Sequence, residues 1–163
     1  MIGIGIDTGG TYTKIAAVDK NGKTLRSLFI ETRAADGYSS FLERAAVAVT
    51  NLRHSLGSRK LAVGIGIAGD VDPENGILRF SPNLDKWRNV EIAKAFKRLS
   101  KLPCVVENDA NMAAFGAFAL KYRNCANLLA ITLGTGIGGG IITGGKLYHG
   151  ANGSAGEVGH MKI

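Results

Sequence analysis

The chain opens with Ile2-Gly3-Ile4-Gly5-Ile6-Asp7-Thr8-Gly9-Gly10-Thr11, and this stretch decides its fold class. The isoleucines alternate with glycines, and a period of two predicts a β-strand with one buried face. A carboxylate and a Gly-rich turn follow, and a second strand is predicted from Ile15 to Asp19. Asn21-Gly22 is a strong hairpin signal, and a third strand is predicted from Thr24 to about Thr32. The sequence therefore begins with a β-meander.

Helices and strands alternate after this meander. The apolar spacing predicts helices over 39–56, 89–100 and 110–122, and strands over 61–67 and 103–107. The apolar stripe of the first helix consists of Phe41, Leu42, Ala45, Val49 and Leu52. A meander followed by crossovers through helices predicts an α/β protein whose mixed sheet carries helices on both faces.

A second β-meander is predicted near the end of the sequence. Its strands cover 127–133, 138–143 and 146–149, and a Gly-rich turn again follows the first of them. This repetition predicts a duplicated domain. We therefore expect a first domain over 1–122 and only the start of a second copy over 123–163.

Composition excludes several classes of protein. Apolar residues make up 45% of the chain, which is enough for a core and argues against intrinsic disorder. The apolar runs are short and broken by glycine, so no transmembrane helix and no membrane partner are expected. Cys104 and Cys125 lack CxxC spacing, and no signal peptide is recognisable, which together favour a cytoplasmic protein.

The net charge of +7 has two interpretations. A helical spacing of i, i+3, i+4 and i+7 places four basic residues on one face of the helix predicted over 89–100, and its other face carries Ile92, Phe96 and Leu99. The favoured interpretation is a solvated face, and the alternative is a nucleic-acid patch. No helix-turn-helix precedes the first strand and no aromatic residues interleave with the basic ones, so nucleic acid is not an expected partner. The four are Lys94, Lys97, Arg98 and Lys101.

Two Gly-rich turns, Asp7–Thr11 and Gly134–Gly140, are candidate phosphate sites. Backbone N–H groups in such turns favour anions, and threonine hydroxyls add donors. For either turn alone, an ordinary hairpin is the favoured interpretation. As a pair, each after the first strand of a meander, they predict a site for the β- and γ-phosphates of one nucleotide. Asp7 would then organise Mg²⁺ through water, because Mg²⁺ gives up its waters reluctantly.

A third polar segment, Glu107-Asn108-Asp109-Ala110-Asn111, lies where a strand gives way to a helix. Asp109 has two interpretations, a helix N-cap or a general base that accepts the proton of a reacting hydroxyl. Polar residues also cluster at Ser81-Pro82-Asn83 and at 156–160. Asn, Asp, Glu and His provide the directional hydrogen bonds that sugar hydroxyls need.

Together these motifs resemble the ROK family of repressors, open reading frames and sugar kinases, above all its bacterial glucokinase-type members. The resemblance covers essentially the whole sequence, in five segments. They are similar, in order, to the family's first phosphate loop, sugar-side loop, catalytic-base motif, second phosphate loop and the entry to its signature segment. The five segments are Gly5–Thr11 with Lys14, Ser81–Leu84 with Trp87, Glu107–Asn111, Leu133–Gly140 and Gly156–His160.

The resemblance implies an actin-like ATPase (ribonuclease H-like) fold and phosphoryl transfer from ATP, with Mg²⁺, to a hexose hydroxyl. It implies that Asp109 is the general base. The residues implied to hold the sugar are Asn83, Asn108, Asp109, Glu157 and His160. The residues implied to bind the nucleotide are Asp7, Thr8, Gly9, Gly10, Thr11, Lys14, Gly134, Thr135 and Gly136.

Zinc is a further implication of the resemblance. In the family, the residue matching His160 often binds structural Zn²⁺ with three cysteines from a Cys-x-Cys-Gly-x-x-Gly-Cys stretch. Neither Cys104 nor Cys125 matches those ligands, and one histidine cannot make a closed tetrahedral site. Zinc is therefore expected only in a longer chain, and His160 alone is expected to orient a sugar hydroxyl.

We expect the sequence to be part of a protein about twice its length, on the order of two domains. The resemblance implies that a further part supplies the adenosine pocket and helices that cover the second sheet. Without it, strands 127–149 are expected to expose an apolar face. A stop codon directly after Ile163 in the native reading frame would contradict this expectation.

Two alternatives to a sugar kinase are kept open. A sugar-sensing repressor of the same family would carry an N-terminal DNA-binding domain, whereas Met1 leads here directly into the first strand. A non-catalytic sugar-binding half, or an inactive fragment, is disfavoured by Asp109 and the two Gly-rich turns.

Glucose is the first choice of sugar, before N-acetylated amino sugars and fructose, although the sequence does not fix the geometry that discriminates epimers. Dimers are common in the family, so a homodimer is one expected state.

Overall fold

The computed structural model describes residues 1–57, 60–84, 86–134 and 136–161. The chain divides into two compact units, Met1–Glu107 and Asn108–Ile163, which we describe separately. The domain assignment made from the sequence, with its boundary after residue 122, stays a prediction.

Three helices and eleven strands are described in these ranges. The strands are β1 (Ile2–Thr8), β2 (Tyr12–Val18), β3 (Thr24–Glu31), β4 (Leu61–Ile67), β5 (Asp70–Asp72), β6 (Ile77–Phe80), β7 (Arg88–Val90), β8 (Cys104–Asn108), β9 (Asn127–Leu133), β10 (Ile137–Thr143) and β11 (Lys146–Leu147). The helices are α1 (Tyr38–Leu56), α2 (Ile92–Ser100) and α3 (Asp109–Lys121), and two short 3-10 helices cover Ala34–Asp36 and Val158–His160.

The main sheet has the order β3-β2-β1-β4-β8. β1 pairs antiparallel with β2 and parallel with β4, so the sheet is mixed, as predicted. The isoleucines of β1 are buried at alternate positions and join the apolar stripe of α1 in one hydrophobic core. The predicted stripe of α1 is buried throughout: Phe41, Leu42, Ala45, Val49 and Leu52.

The region after β4 differs from the prediction. β5, β6 and β7 form a separate three-stranded sheet that the sequence did not reveal. The helix predicted from Asn89 begins only at Ile92, because Asn89 has a left-handed backbone (φ 52°) and therefore cannot continue a right-handed helix. Arg79 joins the two ends of β5, with Nη1 3.2 Å from Asp70 Oδ1 and Nη2 3.0 Å from Asp72 Oδ2.

The helix α2 is amphipathic, as predicted, with one exception. Ile92 and Phe96 are buried, whereas Leu99, predicted to lie on the same apolar face, is 40% exposed. The basic residues Lys94, Lys97, Arg98 and Lys101 are all exposed, and Lys94 Nζ lies 2.8 Å from Glu91 Oε2. This exposure agrees with the interpretation of the four basic residues as a solvated face.

The second unit contains α3 and the sheet β11-β10-β9, in which neighbouring strands are antiparallel. The second meander is therefore confirmed, although its last strand ends at Leu147. α3 packs on β9 and β10. The apolar face expected to be exposed is observed on the edge strand β9, at Leu129, Ile131 and Leu133. No helix in the described part of the chain is long and apolar enough to cross a membrane.

Candidate functional site

The first Gly-rich turn joins β1 to β2 in the first unit. Gly9 N–H donates to Tyr12 O at 3.2 Å and closes the turn. The N–H groups of Gly10 and Thr11 have no acceptor among the residues that the structure describes. Both residues are exposed. Two unbonded donors on an exposed turn are what an anion such as a phosphate group can satisfy.

The charged neighbours of this turn lie on the two strands that it connects. Asp7 is exposed and faces Lys14 across the antiparallel pair. Lys14 Nζ lies 5.9 Å from the centre of the Phe29 ring. Thr8 is buried and its hydroxyl is shielded from solvent, without a hydrogen-bond partner in the described ranges. An exposed carboxylate can accept hydrogen bonds from the waters of a hydrated Mg²⁺. The role of Thr8 in binding nucleotide stays a prediction.

The loop that contains Asn83 lies against this turn. A Cβ added to Gly10 would lie 3.7 Å from Asn83 Cβ. The loop is held by Leu84 and Trp87, whose side chains are buried, and Trp87 Nε1 donates to Ala34 O at 3.3 Å. The structure therefore brings together two segments that the sequence assigned to different ligands, the first phosphate turn and the sugar-side loop.

Gly69 is a residue of this region that the sequence analysis missed. A Cβ at this position would collide with Phe80 O and lie 2.8 Å from Ser81 Cα, and its φ is 134°. Any other residue would therefore displace the segment that leads into Asn83. A glycine two residues after the end of a buried strand was the available signal.

In the second unit, α3 begins at Asp109 and is capped by Asn108. Asn108 Oδ1 accepts from Ala110 N at 2.9 Å and Asn111 N at 3.1 Å. The N-cap is thus one residue earlier than the capping interpretation of Asp109 required. Asp109 is the first residue of the helix, half-buried, and its Oδ1 also accepts from Ala110 N at 2.9 Å. A carboxylate in the first turn is favoured by the helix dipole.

The second Gly-rich turn connects β9 to β10, in the same topological position as the first turn. Gly134 N–H donates to Gly136 O at 2.9 Å. Thr135, predicted to bind nucleotide, lies outside the described residues. The glycines of β10 serve packing: a Cβ on Gly140 would lie 2.5 Å from Ala114 Cβ and 3.0 Å from Ala110 O. The close packing of α3 on β10 therefore requires glycine at this position.

The segment with Glu157 and His160 packs on the other side of β10. A Cβ added to Gly139 would lie 2.6 Å from Gly156 O, and a Cβ added to Gly156 would lie 3.3 Å from Asn111 Oδ1. Within the second unit, the start of α3 and this segment therefore meet at Asn111. Glu157 Oε2 and His160 Nε2 are 3.6 Å apart, and both side chains are exposed.

The predicted residues fall into two sets, one in each unit. The first unit holds Asp7, Thr8, Gly9, Gly10, Thr11, Lys14 and Asn83, and the second holds Asn108, Asp109, Gly134, Gly136, Glu157 and His160. No group of three or more His, Cys, Asp or Glu residues that could hold a metal occurs in the described ranges. Zinc binding at His160 in a longer chain stays a prediction.

One cavity lies apart from all of these residues. It measures about 460 Å³ and lies between α1 and α2. Its charged lining residues are Glu43, Arg88, Glu91, Lys94 and Arg98. None of the predicted site residues borders it.

Comparison with known proteins gives four matches of interest. The model of the ROK family matches residues 3–163. The glucokinase of Thermotoga maritima is 38% identical over 161 residues, which cover 98% of this chain and 50% of that protein. A solved ROK family glucokinase from Streptomyces griseus, in complex with glucose and AMPPNP, is 37% identical with a TM-score of 0.86, covering 100% of this chain and 51% of that one. A xylose repressor from Caldicellulosiruptor bescii is 38% identical over 104 residues, which cover 63% of this chain and 26% of that protein.

These matches bear on fold and length. The similarity to solved ROK sugar kinases confirms the actin-like ATPase fold expected from the sequence. The chain spans about half the length of the curated relatives it matches.

Proposed function

The chain belongs to the ROK family, and from this premise we propose that it serves the ATP-dependent phosphorylation of a hexose hydroxyl. The observation that supports this most is in the first unit, where the turn that carries the unbonded N–H groups of Gly10 and Thr11 packs at Gly10 against Asn83. A phosphate-binding turn next to a hydrogen-bonding side chain is the arrangement that a phosphoryl donor and a sugar acceptor require.

The first turn is proposed to bind nucleotide phosphates through its backbone. Gly10 and Thr11 donate their N–H groups, and Lys14 adds positive charge near Asp7. Asp7 would hold hydrated Mg²⁺, and the ion would neutralise charge on the phosphates. The equivalent turn of the second unit, Gly134–Gly136, is proposed to bind phosphate in the same way.

Asp109 is the proposed general base. It orients the sugar hydroxyl and accepts its proton as the hydroxyl oxygen bonds to the γ-phosphorus and the bond to the β-phosphate oxygen breaks. Its position at the first residue of α3 supports this role, because the N-cap position itself is occupied by Asn108.

The proposed acceptor is glucose, bound by Asn83, Asn108, Asp109, Glu157 and His160. The choice follows the glucokinases of similar sequence and the glucose complex among the solved relatives. A homodimer and a cytoplasmic location are parts of the same proposal.

A second candidate function is sugar sensing without phosphorylation. The similarity to a xylose repressor favours it. The same sugar-binding residues would then report the sugar to another part of the protein. A sensor would bind sugar without turning over ATP, so turnover discriminates the two functions.

The test is ATP-dependent phosphorylation of a hexose panel, with Asp109→Asn as the catalytic variant and Asp19→Asn, in the β2–β3 hairpin, as the matched control. We expect turnover of glucose that falls by about 10²–10⁴-fold in Asp109→Asn and is unchanged in Asp19→Asn. Equal turnover in all three proteins would contradict the role of Asp109. Saturable sugar binding without turnover in any of them would favour the sensing function.

A further inference from the structure

A chain of buried hydroxyl groups lies directly beneath the first Gly-rich turn. Thr13 and Thr32 are both fully buried, and their Oγ1 atoms are 2.9 Å apart. Thr32 Oγ1 donates its one proton to Gly9 O at 2.7 Å. The Thr13 hydroxyl must therefore be the donor in the pair, and the order of donation is Thr13 to Thr32 to Gly9.

Thr32 also holds the far end of the same turn through its backbone. Its N–H donates to Thr11 O at 2.8 Å. One residue, 23 positions away in sequence from Gly9, thus bonds the carbonyl groups at both ends of Gly9-Gly10-Thr11.

Arg44 connects Thr32 to helix α1. Arg44 Nη2 donates to Thr32 O at 2.7 Å, and Nη1 donates to Ser40 Oγ at 2.7 Å. Nη1 also lies 3.7 Å from Asp36 Oδ2. Charge-assisted hydrogen bonds of this kind are stronger than neutral ones, so the backbone of Thr32 is also held by helix α1.

The consequence for the turn follows from the planarity of the peptide bond. Gly9 C=O and Gly10 N–H belong to the same peptide unit, and in a trans peptide they point in opposite directions. Because Thr32 bonds Gly9 C=O from within the protein, Gly10 N–H must point away from Thr32. This N–H is one of the two that have no acceptor among the described residues.

We propose that Thr32, supported by Arg44 and Thr13, is a positioning residue that aims the N–H groups of the first turn at the phosphate groups of the nucleotide. The inference rests on the proposed function for the identity of the anion. It assigns a role to a residue outside every motif by which the site was recognised.

The test compares Thr32→Val, which removes the hydroxyl and keeps the branched shape, with Thr32→Ser, which keeps the hydroxyl. Thr50→Val is the matched control, because Thr50 Oγ1 donates to Ala46 O within α1 and touches no part of the turn. Two quantities are measured: the amide hydrogen exchange of Gly9 and residue 32, and the dissociation constant of ATP.

We expect Thr32→Val to accelerate exchange at these two amides and to weaken ATP binding, each by about tenfold, as the loss of one buried hydrogen bond predicts. Thr32→Ser and Thr50→Val should stay within about twofold of the unaltered protein. Exchange in β1 and β4 should not change, whereas a general loss of stability would raise it everywhere. Arg44→Gln, which removes the bond to Thr32 O, should act in the same direction if Thr32→Val does not fold.

Unchanged exchange at Gly9 in a folded Thr32→Val or Arg44→Gln variant would overturn the inference. Equal loss of ATP binding in Thr32→Val and Thr32→Ser would also overturn it, because the hydroxyl would then not be responsible. If the unaltered protein binds no ATP while exchange at Gly9 responds as expected, the failure lies with the proposed function and not with the support of the turn.

Discussion

The two units bury their apolar residues to very different extents. In the first unit, Trp87, Phe41 and Phe96 are fully buried. In the second, Leu133 is 81% exposed and Ile131 is 55% exposed, although both lie on a regular strand. A sheet with a helix on one face only cannot cover its other face, and a small unit buries a smaller share of its surface. The comparison indicates that the first unit has a complete core of its own and that the second does not.

The largest expected effect comes from removing one apolar side chain from each unit. Phe41→Ala should destabilise the protein by about 3–5 kcal/mol, because Phe41 is fully buried and its ring centre lies 5.0 Å from that of Trp87, and large-to-small core changes cost this much. Ile131→Ala should cost less than about 1 kcal/mol. Urea unfolding followed by fluorescence reports the first unit, since Trp87 is the one tryptophan of the sequence.

Circular dichroism provides the control, because it follows both units together. If Phe41→Ala and Ile131→Ala lower the midpoint equally, the exposed face of β9 is covered in solution and the contrast between the units is wrong.

The sequence predicted the main elements because their apolar residues are periodic. The isoleucines of β1 and the stripe of α1 are buried where the pattern required. The sheet of β5, β6 and β7 was missed because strands of three or four residues are too short to show a period. The start of α2 was predicted too early because the left-handed backbone of Asn89 leaves no mark in the apolar pattern.

The candidate site was predictable where it is local in sequence and not where it depends on pairing. Gly10 and Thr11 were found because a Gly-rich turn is a local signal. Thr32 was not, because its bond to Gly9 arises only when β3 pairs with β2. Asn108 and Asp109 are adjacent, and only the helix geometry shows that Asn108 is the cap.

The second prediction uses the two cysteines, of which Cys104 lies in the first unit and Cys125 in the second. Burial raises the pKa of the Cys104 thiol to about 12, so this thiol stays protonated at neutral pH. Because the thiolate is the reactive form, Cys104 should react with a disulfide reagent at pH 8 about a hundredfold or more slowly than the exposed Cys125. Its rate should also rise by about tenfold per pH unit below its pKa.

Cys104→Ser and Cys125→Ser isolate the two rates, and 6 M guanidinium chloride should make them similar. Fast labelling of Cys104 in the native protein would mean that the first unit opens around β8, contrary to a complete core.

The smallest effect is expected at the N-termini of the helices. Here the second unit, and not the first, has the more stabilising local feature. α3 in the second unit has a side-chain cap from Asn108, whereas α1 in the first unit begins after Gly37 with no side-chain cap. Asn108→Ala should therefore destabilise α3 by about 1 kcal/mol, seen as faster amide exchange in 110–114 without sugar or nucleotide. Asn108→Asp should restore protection, because a carboxylate oxygen accepts from the same N–H groups and also favours a helix N-terminus. Equal exchange in Asn108→Ala and the unaltered protein would contradict this role of the cap. The N-terminus of α3 would then be stabilised by its packing on β10 and not by a side-chain cap.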